Sequence, residues 1–196
     1  MFYGGADVPL SPLGEQEAIA ASKYLQQFQL HRIASSPLSR AMFGAMQVLS
    51  NQQGREFDDI FVHDGFRELD RGSWCGKTEE EIGLDLLEQF NACVLSVTPD
   101  GGESYPELKE RVMTAKRELL DLTEVGRASA LVSHLQVTRS ILSDALGIPT
   151  GKMTQLKVAT ASITCIDYCT LGGKPVVHLQ SFKPQAGLRE SKDGAN

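Results

Sequence analysis

The chain has 196 residues and a mass of 21.4 kDa, which is enough for one ordinary domain and too short for two comfortable ones. Its 41% hydrophobic and 22% charged residues place it among globular rather than disordered chains, and no apolar run approaches the roughly 20 residues of a membrane-spanning helix. With 19 Lys and Arg against 25 Asp and Glu, the net charge is −6. That balance argues against a general hold on the backbone of DNA or RNA, so a bound anion would need a local basic pocket.

In chain order, Ser11-Pro12-Leu13-Gly14-Glu15 reads as a helix start. Ser11 can cap, Pro12 suits the first turn and Glu15 complements the positive helix end. Ala18, Ala21, Leu25 and Phe28 follow at helical spacing. Arg32 to Ser35 is a short strand, and Ser36-Pro37-Leu38 turns into a second helix with Met42, Ala45, Met46 and Leu49 on one face. Asp59 to His63 is a weak strand. Thr78 to Phe90 reads as a helix with an acidic start. The turn Pro99-Asp100-Gly101-Gly102 introduces another helix over Ser104 to Leu122.

Ala128 to Ser133 is the clearest strand, apolar enough to be covered on both faces. A helix from Val137 to Leu146 follows, stopped by Gly147 and Pro149. Ser162 to Cys169 and Pro175 to Leu179 read as strands joined through Leu171-Gly172-Gly173-Lys174, a hairpin. Residues 1–182 form the expected domain, and 183–196 a frayed polar tail. Strands alternating with helices predict an α/β fold, with a mostly parallel sheet between helical layers.

Cys75, Cys93, Cys165 and Cys169 form no double Cys-x-x-Cys pattern, which gives a zinc site little support. Buried thiols in a reducing compartment are expected. Met1-Phe2-Tyr3-Gly4-Gly5 carries neither a basic region nor an apolar signal core. Cytoplasm is the expected location, with organelle targeting upstream of Met1 left open.

In open α/β sheets ligands bind beyond the carboxyl ends of the strands, and three stretches fall there. Ser35-Ser36-Pro37-Leu38-Ser39-Arg40 offers hydroxyls, helix-start N–H groups and a guanidinium fork, all suited to an anion. Phe66-Arg67-Glu68-Leu69-Asp70-Arg71-Gly72-Ser73-Trp74 sets Glu68 among arginines beside the only tryptophan. A carboxyl near an apolar wall and a phosphate has a raised pKa and can lend and recover a proton. Val132-Ser133-His134-Leu135-Gln136-Val137-Thr138-Arg139 puts an imidazole at the end of the best strand. There it could donate an N–H to a transferring phosphoryl group. His31, His63 and His178 have no comparable setting and read as surface or strand-edge residues. A Rossmann enzyme is dropped, because no Gly-x-Gly-x-x-Gly follows a strand.

Together these stretches, in their order and spacing, resemble the histidine phosphatase superfamily, whose fold is phosphoglycerate mutase-like. Phe2 to Ser11 resembles the loop after that family's catalytic motif, and Asp100-Gly101-Gly102-Glu103-Ser104 matches another of its landmarks. The match runs from about Met1 to Ile166. The resemblance implies a three-layer α/β/α sandwich that hydrolyses or transfers phosphate esters through a phosphohistidine. Arg40 would hold the phosphate, Glu68 would act as general acid and base, and His134 would brace the phosphate. Tyr3, Gly4, Arg71 and Leu135 fall at substrate-contacting positions, Leu135 where the family usually has a small residue. The implied partner is a small phosphorylated metabolite, with no metal, cofactor, nucleic acid or membrane; a homodimer stays open.

One departure is large. In that family a histidine in an Arg-His-Gly triplet, closing the first strand, attacks phosphorus, and this sequence contains no such triplet. His31 is no replacement, because it precedes its strand. The expected first strand would lie upstream of Met1. An enzyme read in shortened form is preferred over a natural pseudoenzyme, since loss of an interior strand leaves ladder groups unpaired. Phosphatase activity on small phosphomonoesters is the leading expectation. A mutase and a non-catalytic phospho-ligand module are the alternatives. Residues 69–102 hold two bases, Arg71 and Lys77, against seven acids; such an acidic cap favours water entry and hydrolysis.

Overall fold

The computed structural model describes residues 1–54, 60–168 and 173–184. Helix α1 (Pro12–Leu25) starts as its sequence predicts, with the Gly14 N–H donating to the Ser11 hydroxyl at 3.1 Å. Strand β1 (Leu30–Ser35), helix α2 (Ser39–Ser50) and strand β2 (Ile60–Val62) follow. The helix predicted over Thr78 to Phe90 is two helices, α3 (Glu79–Ile82) and α4 (Leu84–Asn91), broken where Gly83 adopts φ +97°. Helix α5 (Tyr105–Asp121) opens with a capping box: the Ser104 hydroxyl accepts from the Glu107 N–H, and the Glu107 carboxylate accepts from the Ser104 N–H. Strand β3 (Ala128–Val132), helix α6 (Leu135–Leu146) and strands β4 (Ile163–Asp167) and β5 (Val176–Phe182) complete the order. Asp59, Cys169, Leu171 and Gly172, which the sequence assigned to strands and a hairpin, lie outside the described residues.

The strands form a parallel sheet in the order β2-β1-β3 and a separate antiparallel pair β4-β5. Alternation along the parallel strands makes the layers. Ile33, Ile60, Ala130 and Val132 pack with Ala45 and Val48 of α2 and Leu25 of α1. Their neighbours Ala34, Phe61 and Leu131 pack with Leu108, Val112 and Ala115 of α5 and Val137 of α6. The fold is α/β, with helices on both faces of a parallel sheet.

Four expectations change. β3 is not a fully covered strand: Ala128 is exposed and residues 129–132 are half-buried. Its partner is β1 alone, so one long edge has no ladder neighbour among the described residues. The thiols are not uniformly buried, since Cys75 and Cys165 are exposed and Cys93 is half-buried. His31 lies inside β1, at the end away from Ser35, so it is still remote from the carboxyl ends of the strands. Lys183, placed at the start of a frayed tail, is anchored. Its ammonium meets Glu17 at 2.6 Å, and Glu17 also accepts from the Thr160 hydroxyl at 2.9 Å. Glu17 is a buried carboxylate, and burying a charge requires such partners. Among the described residues no helix is long and apolar enough to cross a membrane.

Candidate active site

Two helices point their N-termini at the carboxyl edge of the parallel sheet, and neither has a capping side chain of its own. Orphan N–H groups at a helix start need acceptors, and distant residues supply them. For α2 the acceptor is Asp7, whose Oδ1 takes the Ser39 N–H at 2.8 Å and the Ser39 hydroxyl at 2.7 Å. These two bonds hold the Asp7 carboxyl below its usual range. For α6 the acceptor is Glu68, whose two carboxylate oxygens lie 3.3 and 3.2 Å from the Gln136 nitrogen. Glu68 Oε1 also accepts from the Leu69 N–H at 2.8 Å.

Arg40, one residue into α2, donates to the carbonyls of Ala6 at 2.7 Å and Gly4 at 2.9 Å. Residues 4–7 therefore hold both the guanidinium and the helix start. His134 is the residue before α6, and its Nε2 shares a 2.8 Å hydrogen bond with the buried Ser36 hydroxyl. Arg40, Glu68 and His134 come together. The charges of Arg71 and Arg40 act on the Glu68 carboxyl, and that of Arg40 on the His134 ring.

Burial decides the protonation of the two titrating groups. Desolvation raises the Glu68 pKa and outweighs the Leu69 and Gln136 N–H groups and the two guanidiniums, all of which lower it. Desolvation, then Arg40, pushes His134 down to about 3 from an ordinary 6.5. Its imidazole is neutral at physiological pH and can present one N–H donor. Between pH 6.5 and 3 the unfolded chain binds the proton that the folded one refuses. The contribution of His134 to stability is therefore complete above pH 6.5 and declines as pH falls toward 3. Replacing it as His134→Asn is expected to cost more stability at pH 7 than at pH 4, read as urea midpoints at the two pH values.

The segment carrying Glu68 is held from behind. Arg111 of α5 forms a two-pronged pair with Glu103 and donates to the carbonyls of Gly65 at 3.0 Å, Arg67 at 2.8 Å and Glu68 at 3.2 Å. Glu103 in turn accepts from the Asp70 N–H at 3.0 Å. Gly72 (φ +45°) lies against the Asp100-Gly101-Gly102 turn so closely that a Cβ would strike the Asp100 carbonyl and the Gly102 nitrogen. The landmark at residues 100–104 thus positions the Glu68 loop.

Arg71 is 3% exposed, its guanidinium 4.7 Å from the centre of the Phe2 ring and 5.6 Å from that of Phe90. Gly4 (φ +49°) sits where a Cβ would meet the Arg71 side chain and the Leu69 carbonyl. The Tyr3 side chain is exposed; its carbonyl accepts from the Ala6 N–H and the Cys75 thiol. Leu135 is half-buried as the first residue of α6. A cavity of about 360 Å³ opens beside Glu68, lined by Arg71, Tyr105, Gln136 and Arg139 among others, whereas Arg40 and His134 do not line it. The sequence assigns Arg111 and Tyr105 no role beyond a helix, and it includes Gln136 and Arg139 only as unassigned members of the stretch that carries His134. Gln136, Arg139, Ser140 and Ser143 are all buried. Their 136, 139, 140, 143 spacing, a polar set where a helix usually turns apolar residues inward, is the signal that could have marked them.

A parallel α/β fold with a guanidinium, a half-buried carboxyl and a neutral imidazole at one end of its strands has the makings of a protein that handles phosphate esters. The chain belongs to the histidine phosphatase superfamily: the family model of its branch 1 matches residues 1–180. A probable phosphoglycerate mutase GpmB from Salmonella arizonae is 32% identical over 173 residues, spanning 84% of this chain and 76% of that one. Among solved structures, a mycobacterial glucosyl-3-phosphoglycerate phosphatase, Rv2419c, in complex with VO3 superposes with a TM-score of 0.77 at 26% identity, covering 92% of this chain and 90% of that one. YhfR of Bacillus stearothermophilus superposes with a TM-score of 0.80 at 25% identity, covering 92% and 88%.

Proposed function

We propose that this chain carries the phosphate-holding and acid–base machinery of a phosphomonoester hydrolase that works through a phosphohistidine, with the nucleophilic histidine supplied from outside residues 1–196. One observation carries the reading: the half-buried Glu68 carboxyl, raised in pKa by desolvation, accepts from the Gln136 N–H at the start of α6 within electrostatic reach of Arg40. In the first half-reaction a histidine nitrogen bonds to phosphorus, the ester P–O bond breaks, and Glu68 gives its proton to the leaving oxygen. In the second, Glu68 takes a proton from water as the water oxygen bonds to phosphorus and the P–N bond breaks. Arg40 and the neutral His134 N–H neutralise charge on the equatorial oxygens. The edge of β3 that is unpaired among the described residues ends beside His134, a place where an added parallel strand would bring a nucleophile.

A mutase is the second reading, supported by the name of the Salmonella relative. The cap at residues 69–102, with two bases against seven acids, instead suits entry of water and hydrolysis. Binding tests the proposal before turnover does. Inorganic phosphate at about 100 times its Kd should stabilise the chain by roughly 2.7 kcal/mol, a rise in Tm of about 5–10 °C for a domain of this size. The rise should vanish in Arg40→Ala. If phosphate leaves the Tm of the wild-type chain unchanged, the site does not hold phosphate and the proposal falls.

A further inference from the structure

His63, the first residue past β2, has all its polar groups committed. Its N–H donates to the Ser35 carbonyl at 3.1 Å, which carries the ladder of β1 and β2 one residue further. Its carbonyl accepts from the Phe66 N–H at 3.0 Å. In the ring, Nδ1 accepts from the Gly65 N–H at 2.9 Å, and Nε2 lies 3.1 Å from a carboxylate oxygen of Glu118 on α5. A neutral imidazole has one N–H and one acceptor nitrogen. Since Nδ1 accepts, the proton sits on Nε2 and faces Glu118. The rings of Phe61 and Phe66 each lie 5.6 Å from the imidazole, centre to centre. The sequence reads this histidine as a strand-edge residue, and it does sit at the end of a strand; its side chain, however, joins two other elements.

The first of those elements leads straight to Glu68. Asp64–Phe66 is a single 3₁₀ turn with His63 as its N-cap, and Arg67 and Glu68 follow. Gly65, buried in the middle of the turn, is held at both ends of its backbone: the N–H by His63 and the carbonyl by Arg111 at 3.0 Å. Arg111 and Glu118 both belong to α5, about two turns apart. A Cβ on Gly65 would come within 2.6 Å of the Ala115 Cβ and 2.8 Å of His63 Nδ1, so the turn is pressed against the helix. The orphan N–H groups at the start of such a turn need an acceptor, and a short Ser, Asp or Asn side chain usually supplies it. Histidine supplies it here and has a second nitrogen left to answer to α5. That helix therefore grips the Glu68 segment with two polar arms, Arg111 on the carbonyls and Glu118, through the imidazole, on an amide. The Asp64–Arg67 pair on the same turn is exposed at 3.4 Å, and such pairs contribute little.

We infer that His63, oriented by Glu118, is a positioning residue: it fixes the turn that carries Glu68 and so sets where the Glu68 carboxyl meets the start of α6. This rests on the role proposed above for Glu68. Nuclear magnetic resonance on the chain tests it with two substitutions. His63→Phe keeps a ring among the same neighbours and removes both polar contacts. His63→Asn puts a carbonyl oxygen on the same Cγ, where it can still accept the Gly65 N–H. In the wild type the ring nitrogens of His63 should show a proton on Nε2 and none on Nδ1. In His63→Phe, protection from hydrogen exchange should fall by about five- to tenfold, the worth of one hydrogen bond, at the Leu69 and Gln136 amides that bond the Glu68 carboxylate. The Glu68 carboxyl, followed through its carbon resonance, should titrate closer to the ordinary 4.5. His63→Asn should restore both readings. Should His63→Phe fail to fold, Glu118→Ala, which frees the far end of the ring from outside the Glu68 segment, takes its place with the same readings. Unchanged protection and an unchanged Glu68 titration overturn the inference and leave the role of Glu68 standing. A proton on Nδ1 of the wild-type ring overturns it as well, because that nitrogen could not then accept, and so does a His63→Asn variant that fails to rescue. If Glu68 titrates at its ordinary value in the wild type, the reading of Glu68 and this inference fall together.

Discussion

Joined behind a strand that ends in Arg-His-Gly, residues 1–196 are expected to hydrolyse p-nitrophenyl phosphate at least about a thousandfold faster than they do alone. Removing a nucleophile from a covalent mechanism costs on the order of 10⁶ in kcat, and positioned donors account for the residue of activity. The place for the added strand follows from the sheet. β1 has β2 on one edge and β3 on the other, whereas β3 pairs only with β1 among the described residues. A parallel strand laid on the free edge would run with β3, so its carboxyl end would arrive beside Val132 and His134. Ladder bonds would form as it docked, and the outward amides of Ala128 to Val132 should slow in hydrogen exchange together with the gain in rate. Free phosphate should accumulate even when an acceptor alcohol is present, which separates a hydrolase from a mutase. Robust turnover by residues 1–196 alone, lost in His134→Ala, would make His134 the nucleophile and refute this assignment.

How much of this was legible depends on how local the cause is. Ser11 marks a helix start because a cap acts over three residues, and its side chain accepts the bond its position predicts; the capping boxes of Thr78 and Ser104 fall at the starts of helices that the sequence placed without reading their caps. Arg40, Glu68 and His134 could be picked out because each follows a strand or turn at the carboxyl edge of a sheet, a rule of topology rather than of contact. Arg111 could not. On paper it is one charged residue in a polar helix; its role is to bind carbonyls of Gly65, Arg67 and Glu68, 46, 44 and 43 residues away. The same holds for Asp7 capping α2 across 32 residues. Gly83 shows the opposite limit: a single glycine within a helical pattern is tolerable, and only the positive φ reveals that it divides α3 from α4. The apolar run of β3 predicts a strand covered on both faces; Ala130 and Leu131 do pack to opposite sides, yet Ala128 is exposed and residues 129–132 are only half-buried. Hydropathy does not encode whether a neighbour occupies the second edge, which is unpaired among the described residues.

Substituting Glu68→Gln is expected to remove activity and add stability at once. In the fused, active chain the amide has no proton to give the leaving oxygen, and kcat should fall by about 10²–10⁴. Stability moves the other way because the folded state holds this carboxyl at a raised pKa. Above the ordinary carboxyl value of 4.5, the folded chain keeps a proton that the unfolded chain has released. Folding is therefore penalised progressively as pH rises from that value through the raised one. Glutamine carries no such penalty, and its carbonyl oxygen can still accept from the Leu69 and Gln136 N–H groups that now meet the carboxylate. At pH 8 the variant should be more stable than the wild type, and the gap should close toward pH 5, as urea midpoints at the two values would show. A variant less stable at pH 8 would mean that the two N–H groups and the helix dipole of α6 outweigh desolvation. Glu68 would then be an ionised cap on that helix, and the proton for the leaving group would have to come from another residue.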